Sequence, residues 1–545
     1  MEHLKPIREQ EYARELFLRR EGLKIDAYAG TGKTTTLQLL AASTRERGLY
    51  LAFNRSIAAE ARLRFPQQVT CATSHSIAFR NVRRSLGYPE WKLTGTLTPH
   101  VLSTGYGMPE SITFDAGMKL PGRTYSALLL DALRRFLQSD DDEPMAKHMP
   151  RYGALGAIAD AQFYAVCQQS LQHVKGIWDA MKHKGGNLPL GHDGYLKLWA
   201  LSRPRAQIDY VMVDEAQDIN SVLLGVLARL NCPVVYVGDP YQQIYDWRGA
   251  VNAMEQVESK HRVLLSRSFR FGDAIATAAT IVLKTLGAKE PLRGSVSLSS
   301  HLTRVRPDAI LTRSNAGVMG SVFTCLRRGV TCHVLGGTQE LERVLRDAER
   351  VKQGSAGQSP ELLGFSTWRD VMAFSGKPEG ESLRSLVMMV QEYGEGTILR
   401  ALAQCERDEN NAQVVCSTAH RAKGREWDYV RVDPDFDSGF VRASKAPSLR
   451  SSRDQQTSFE AEARLLYVAM TRARRAVHLP VTVMHRFGLK STTDKVLGNT
   501  APKESQPEMI EVVPSAEKTS EVVSPYHSPR SGESKEMSEL RRYLR

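Results

Sequence analysis

Ala27-Tyr28-Ala29-Gly30-Thr31-Gly32-Lys33-Thr34-Thr35 follows an apolar run, Leu23 to Ala27, and leads into a stretch with Leu37 and Leu40 on one helical face. The spacing is that of a phosphate-binding loop, G-x-x-x-x-G-K-[ST], with Ala27 in place of the first glycine. Between a strand and a helix, such a loop turns its backbone N–H groups toward phosphate oxygens at the helix N-terminus. Ala29, Gly30, Thr31, Gly32, Lys33, Thr34 and Thr35 therefore form the expected cradle. Lys33 would add a point charge beside the β and γ phosphates, and the Thr34 hydroxyl would ligate Mg²⁺. A chance Gly-Lys-Thr in a turn is the competing reading, which the flanking strand and helix disfavour.

The loop needs an acidic partner, and Val211-Met212-Val213-Asp214-Glu215-Ala216-Gln217-Asp218 supplies one. A buried strand would deliver two adjacent carboxylates at its C-terminal end, where open α/β sheets bind ligands. Asp214 would hold Mg²⁺, and Glu215 would orient and deprotonate an attacking water. Together the two motifs predict ATP hydrolysis. Further apolar runs at Leu49 to Phe53, Val234 to Val237, Val263 to Leu265, Ile310 to Leu311, Val414 to Cys416 and Val430 to Val432 alternate with helical patterns. They predict an α/β fold of parallel sheets covered on both faces, in two domains.

The 545 residues include 73 basic and 60 acidic side chains, a formal +13 that favours a polyanionic partner. The seven cysteines include no C-x-x-C pair, which predicts neither a disulfide framework nor structural zinc. No signal pattern and no apolar run of membrane-spanning length are seen, which predicts a cytoplasmic protein, neither secreted nor membrane-bound. Residues 490–545 are rich in Ser, Pro, Glu and Lys, the composition of a disordered tail, and their charges balance. The net positive charge thus belongs to the preceding part.

Asp214 to Asp218 resembles motif II of superfamily 1A, the UvrD/Rep-like DNA helicases, and further motifs follow in order. Gly238-Asp239-Pro240-Tyr241-Gln242 through Ala250 resembles motif III, Ser268-Phe269-Arg270-Phe271 motif IV, Thr418 to Asp428 motif V, and Tyr467-Val468-Ala469-Met470-Thr471-Arg472-Ala473 motif VI. Ala52 to Ala58, His192 to Trp199 and Ser268 to Gly272 resemble in particular the F-box DNA helicase family and its bacterial relatives. With the first strand entered by Leu23, the expectation is a motor without the F-box.

The resemblance implies two RecA-like P-loop domains, each with a mainly helical insertion. The implied plan is domain 1A over 1–80 and 195–262, insertion 1B over 81–194, domain 2A over 263–351 and 412–489, a reduced insertion 2B over 352–411, and the tail. It also implies that Arg270 and Arg472 reach the γ-phosphate from the second domain and that Gln242 senses it. Phe269 and Gln10 would flank the adenine, and Gly424 and Glu426 would lie near the ribose. Single-stranded DNA and its junctions with duplex would be held by Phe53, Asn54, His75, Tyr245, Trp247, Arg248 and His420, rings alternating with cations. By resemblance the activity is 3′–5′ unwinding in DNA repair or recombination. The alternatives are a translocase that strips proteins from single strands, and an ATP-switched recruitment factor. The expected setting is bacterial-type and nucleoid-associated, with a recombinase or a replication or repair protein as the tail's possible partner.

Overall fold

A computed structural model describes residues 6–114, 119–151, 159–205, 207–244, 252–355, 357, 359, 361–362, 365, 367–376, 381–444 and 452–492. The strands in chain order are β1 (Leu23–Ala27), β2 (Gly48–Leu51), β3 (Val69–Ala72), β4 (Ser111–Thr113), β5 (Lys119–Pro121), β6 (Tyr210–Val213), β7 (Val234–Gly238) and β8 (His261–Leu265). They continue as β9 (His301–Leu302), β10 (Ala309–Thr312), β11 (Cys332–Val334), β12 (Val414–Thr418), β13 (Trp427–Val432) and β14 (Ala473–His478).

Two six-stranded parallel sheets result, ordered β3-β2-β6-β7-β1-β8 and β11-β12-β10-β13-β14-β9. In the first, Ile25 pairs with Val237 on one side and Val263 on the other. Both faces of each sheet carry an apolar core, as parallel sheets demand. The polar residues of β1 find partners across the sheet: Lys24 Nζ donates to Val257 O at 2.7 Å, and Asp26 pairs with Arg262 through Oδ2 while its Oδ1 stays buried without a hydrogen bond. Since β6, β7 and β1 are neighbours, everything that follows them emerges at one sheet edge. That adjacency brings the phosphate loop and the acids together.

The expected break at 262/263 falls inside β8, which is hydrogen-bonded along β1. The first half therefore runs through Leu265, and Phe269 and Arg270 lie in the passage to the second. The expected edges at 80/81 and 194/195 fall inside the helices Ser74–Arg84 and Gly191–Leu201, which pack on one another. Between them lie helices, the long Gly122–Gln138 and Asp160–Lys182 included, and the β4–β5 hairpin. Residues 352–411 hold the helices Trp368–Ser375, Glu381–Tyr393 and Glu395–Ala403. These helices share the core of the second sheet, packing on Asn315–Arg327 and Gln339–Lys352. The tail from residue 493 lies outside the described residues.

The second half is fastened by a buried polar junction. Arg313, just past β10, grips Glu462 on the helix Ser452–Met470 through Nε at 2.7 Å and Nη2 at 2.5 Å. Asp435 accepts from Arg313 N–H at 2.8 Å and Ser314 N–H at 3.0 Å. Breaking a largely buried fork-shaped pair leaves a carboxylate without its counter-charge. Arg313→Ala is expected to cost about 3 kcal/mol, read as a lowered thermal unfolding midpoint, with Arg313→Lys recovering only part because one ammonium cannot replace the fork.

Candidate functional site

The phosphate loop closes as its glycines require. Gly30 and Gly32 have φ of 73° and 76°, the left-handed region that side chains disfavour. A Cβ on Gly30 would also stand 2.5 Å from Ser268 Oγ and 2.7 Å from Arg270 Cβ. Thr31 Oγ1 donates to Tyr28 O at 2.8 Å, and the helix Lys33–Ala42 starts at Gly32. Ala29 N–H donates to Tyr467 Oη at 2.9 Å, which in turn donates to Asp239 Oδ2 at 2.9 Å. The loop is therefore tied to the second half of the chain.

Asp214, just past β6, accepts from Tyr50 Oη at 2.6 Å and Thr34 Oγ1 at 3.1 Å. A hydroxyl and a carboxylate side by side are the oxygen donors a hard divalent cation takes, so Thr34 and Asp214 fit Mg²⁺. Glu215 sits in the left-handed region at φ 51°, a strained position for a residue with a side chain. Gln217 Nε2 donates to Glu215 Oε2 at 2.5 Å, and Lys33 Nζ stands 3.9 Å from Oε1.

Burial raises the pKa of Asp214, and the charge of Glu215 adds to it. Burial pushes Glu215 the same way, but Lys33, Lys423, the Gln217 amide and Arg472 outweigh it and hold Glu215 down at about 2. The outer carboxylate thus keeps its charge across the physiological range. Burial raises Asp218 to about 6 against the pull of Lys423.

The second half contributes the cations. Glu426 precedes β13 and Arg472 precedes β14, so strand starts of one sheet face strand ends of the other. Arg472 is buried, with Nη2 3.3 Å from Gln242 Oε1 and Nε donating to Val468 O at 2.9 Å. Burial and the neighbouring Arg270 lower it to about 9. Gln242 Nε2 donates to Asp239 Oδ2 at 2.7 Å. Arg270 donates to Glu426 Oε2 at 2.6 Å and Thr471 O at 3.0 Å, so Glu426 is its ion-pair partner here. Lys423, beside Gly424 at φ 86°, pairs with Asp218 and donates to Gln242 O at 2.6 Å.

Phe269 N–H donates to Gly30 O at 2.7 Å, and its ring lies 3.5 Å from where a Gly32 Cβ would be. Gln10 Nε2 stands at the same distance and donates to Thr36 Oγ1 at 3.0 Å, while Gln10 Oε1 accepts from Ile7 N–H. The two expected adenine neighbours thus flank one glycine. Tyr50, Tyr467, Lys423 and Gln217 bind the site together, and sequence reasoning gave them no role. Tyr467, Lys423 and Gln217 lie within motifs already quoted; Tyr50 carries no local signal.

A sequence model of the UvrD/REP helicase N-terminal domain matches residues 188–261, and one of the UvrD-like helicase C-terminal domain matches 339–483. The chain thus matches models of both the N-terminal and the C-terminal domain of UvrD-like helicases. It is 29% identical over 509 residues to F-box DNA helicase 1 of Gallus gallus, covering 86% of this chain and 48% of the relative. Against F-box DNA helicase protein 1 of Schizosaccharomyces pombe it is 28% identical over 508 residues, 86% of this chain and 56% of the relative. A shorter match, 32% over 99 residues, is to the ATP-dependent DNA helicase PcrA of Leuconostoc citreum, covering 17% of this chain and 13% of the relative. The chain spans about half the length of the two F-box relatives.

On the expected DNA face of this UvrD-like chain, Phe53 is 50% exposed just past β2. Asn54 caps the helix Arg55–Arg64, its Oδ1 accepting from Ile57 N–H at 2.9 Å. His75 stacks edge-on to His192 and Tyr195, with ring centroids 6.3 and 5.9 Å away, and burial lowers its pKa. His420 lies in the loop between β12 and β13. Tyr245, Trp247 and Arg248 lie outside the described residues. Among the described residues, no helix is long and apolar enough to cross a membrane.

Lys423→Ala would leave the buried Asp218 without its counter-charge, at a cost of about 3 kcal/mol. Because Asp218 binds its proton more tightly folded than unfolded, stability falls as pH rises from its ordinary value through about 6. Thermal melts of Lys423→Ala should therefore show the larger deficit at pH 8 and a smaller one at pH 5, and adding Asp218→Asn should recover most of it.

Proposed function

We propose that this chain is an ATP-dependent DNA helicase that moves 3′ to 5′ along single-stranded DNA and separates strands at junctions in repair or recombination. The observation that carries the proposal is that Arg472 and Lys423, from beyond the first sheet, reach Gln242 and Asp218 at its edge, with Arg270 packed beside Gly30 of the loop. A nucleotide held there is contacted from both halves, so its hydrolysis can be converted into their relative movement.

In this mechanism Lys33 and the loop amides bind the phosphates, and Thr34 and Asp214 would hold Mg²⁺. Held by these two residues, the ion would supply neutralisation of the charge on the transferred phosphoryl group. Glu215, ionised and braced by Gln217, orients the attacking water and takes its proton. Arg472 and Arg270 stabilise the charge that develops on the transferred group, Arg270 exchanging Glu426 for phosphate as it does so. Gln242 touches both Arg472 and Asp239 and reports occupancy to the residues that follow it. Phe269 and Gln10 hold the base, with Gly424 and Glu426 beside the ribose.

On the DNA side, Phe53 and Trp247 offer stacking surfaces, with Tyr245, Arg248, Asn54, His75 and His420 along the strand. The names of the relatives, DNA helicases all, support this assignment. The tail is proposed to recruit a recombinase or another replication or repair protein, and the setting to be the nucleoid.

Strand displacement is measured on duplexes with 3′ or 5′ single-stranded tails, beside DNA-stimulated ATPase. The expected result is unwinding from 3′ tails, abolished with ATPase in Lys33→Ala and Glu215→Gln. Unwinding from 5′ tails alone overturns the polarity, and ATPase with protein clearance but no displacement selects the stripping translocase. Affinity for single strands should fall on the order of tenfold or more between 50 and 200 mM salt as counterions are released.

A further inference from the structure

Four of the seven cysteines, two near residue 330 and two near residue 410, converge in the second half. Cys325, Cys332 and Cys416 are buried, and their Sγ atoms all lie within 4.8 Å of one another. They come from separate elements: the last turn of the helix Asn315–Arg327, the start of β11, and β12. Cys405, after the helix Glu395–Ala403, places its Sγ 3.9 Å from that of Cys332 and is only part-buried. A backbone hydrogen bond, Glu406 N–H to Cys332 O at 2.8 Å, holds it there.

Sequence spacing gave no sign of this group, because C-x-x-C motifs report only ligands that share a turn. A buried free cysteine ordinarily serves as a small apolar side chain. Three in mutual contact, with a fourth on the rim, also meet the demand of a soft cation. With metal–sulfur bonds of about 2.3 Å, the sulfurs of a trigonal site stand about 4.0 Å apart and those of a tetrahedral site about 3.8 Å. The observed triangle lies within a side-chain adjustment of both.

The surroundings agree. The three buried cysteines belong to one apolar core with Val318, Val322 and Leu345, against which Cys405 packs, a setting without hard oxygen ligands of its own. Four thiolates around a divalent cation leave two negative charges, and Arg431 on β13, which also pairs with Asp433 at 3.9 Å, acts electrostatically on Cys325. Its Nε is buried with no hydrogen-bond partner. The part-buried Cys405 gives an incoming ion a thiol to meet first.

We propose that Cys325, Cys332 and Cys416, with Cys405 as the fourth ligand, form a binding site for a thiophilic divalent cation of the zinc class. The ion would tie β11, β12 and the return from residues 352–411 together, two residues before Thr418 and the loop to Glu426.

The test uses the full chain, reduced and freed of metal with a chelator, then titrated with Cd²⁺. The expected result is ultraviolet thiolate-to-cadmium absorption saturating at one equivalent, with a raised unfolding midpoint. Cys332→Ser should abolish it, Cys405→Ser should weaken binding on the order of tenfold, and Cys167→Ser should leave it unchanged. Should Cys332→Ser fail to fold, alkylation of the wild-type chain read by mass spectrometry decides: Cd²⁺ should slow modification of Cys405 and leave Cys232 unaffected. Absence of the absorption at one equivalent, or an unchanged Cys405 rate, overturns the proposal.

Discussion

A cluster of carboxylates at one sheet edge, Asp214 and Asp239 buried and Glu215 and Asp218 part-buried, is the constraint on which the rest of the structure turns. Asp214, Glu215, Asp218 and Asp239 lie at the ends of β6 and β7, beside the phosphate loop that follows β1. Ionised carboxylates this close and this far from water are costly unless opposite charge is brought to them. Lys33 comes from the same half, while Lys423 and Arg472 come from the other. The two halves are thus mutually dependent electrostatically.

The different ionisation of neighbouring acids follows from the same arrangement. Asp214 and Asp239 are raised by burial, Asp218 sits near 6, and Glu215 remains low because four positive or hydrogen-bonding groups converge on it. Of these acids, the one in strained backbone geometry is also the one whose pKa is held low.

Much of the architecture was legible because parallel strands buried on both faces are continuous apolar runs, as in Val211 to Val213 and Val234 to Val237. β14 was not, because Ala-Arg-Arg-Ala-Val-His carries two adjacent arginines whose side chains ion-pair at the surface with Asp428. β3, with an exposed threonine in its middle, and the three-residue β11 were too short to stand out. In the site, the glycines, Lys33 and the acids were legible from spacing. Tyr50 was not, since its contact to Asp214 is set by the pairing of β2 with β6 rather than by any local pattern. Asn54 shows the opposite case: a motif residue whose side chain in this structure caps a helix.

The hydrogen bond from Phe269 N–H to Gly30 O, and that from Ala29 N–H to Tyr467, make the nucleotide cradle a joint product of both halves. Linkage then runs in both directions. Any ligand that favours one relative placement of the halves changes the shape of the loop and so its affinity for nucleotide, and nucleotide changes the affinity for that ligand by the same factor. A strand of nucleic acid lying across the two halves would therefore act on nucleotide affinity without touching the loop, as an effector in the strict thermodynamic sense.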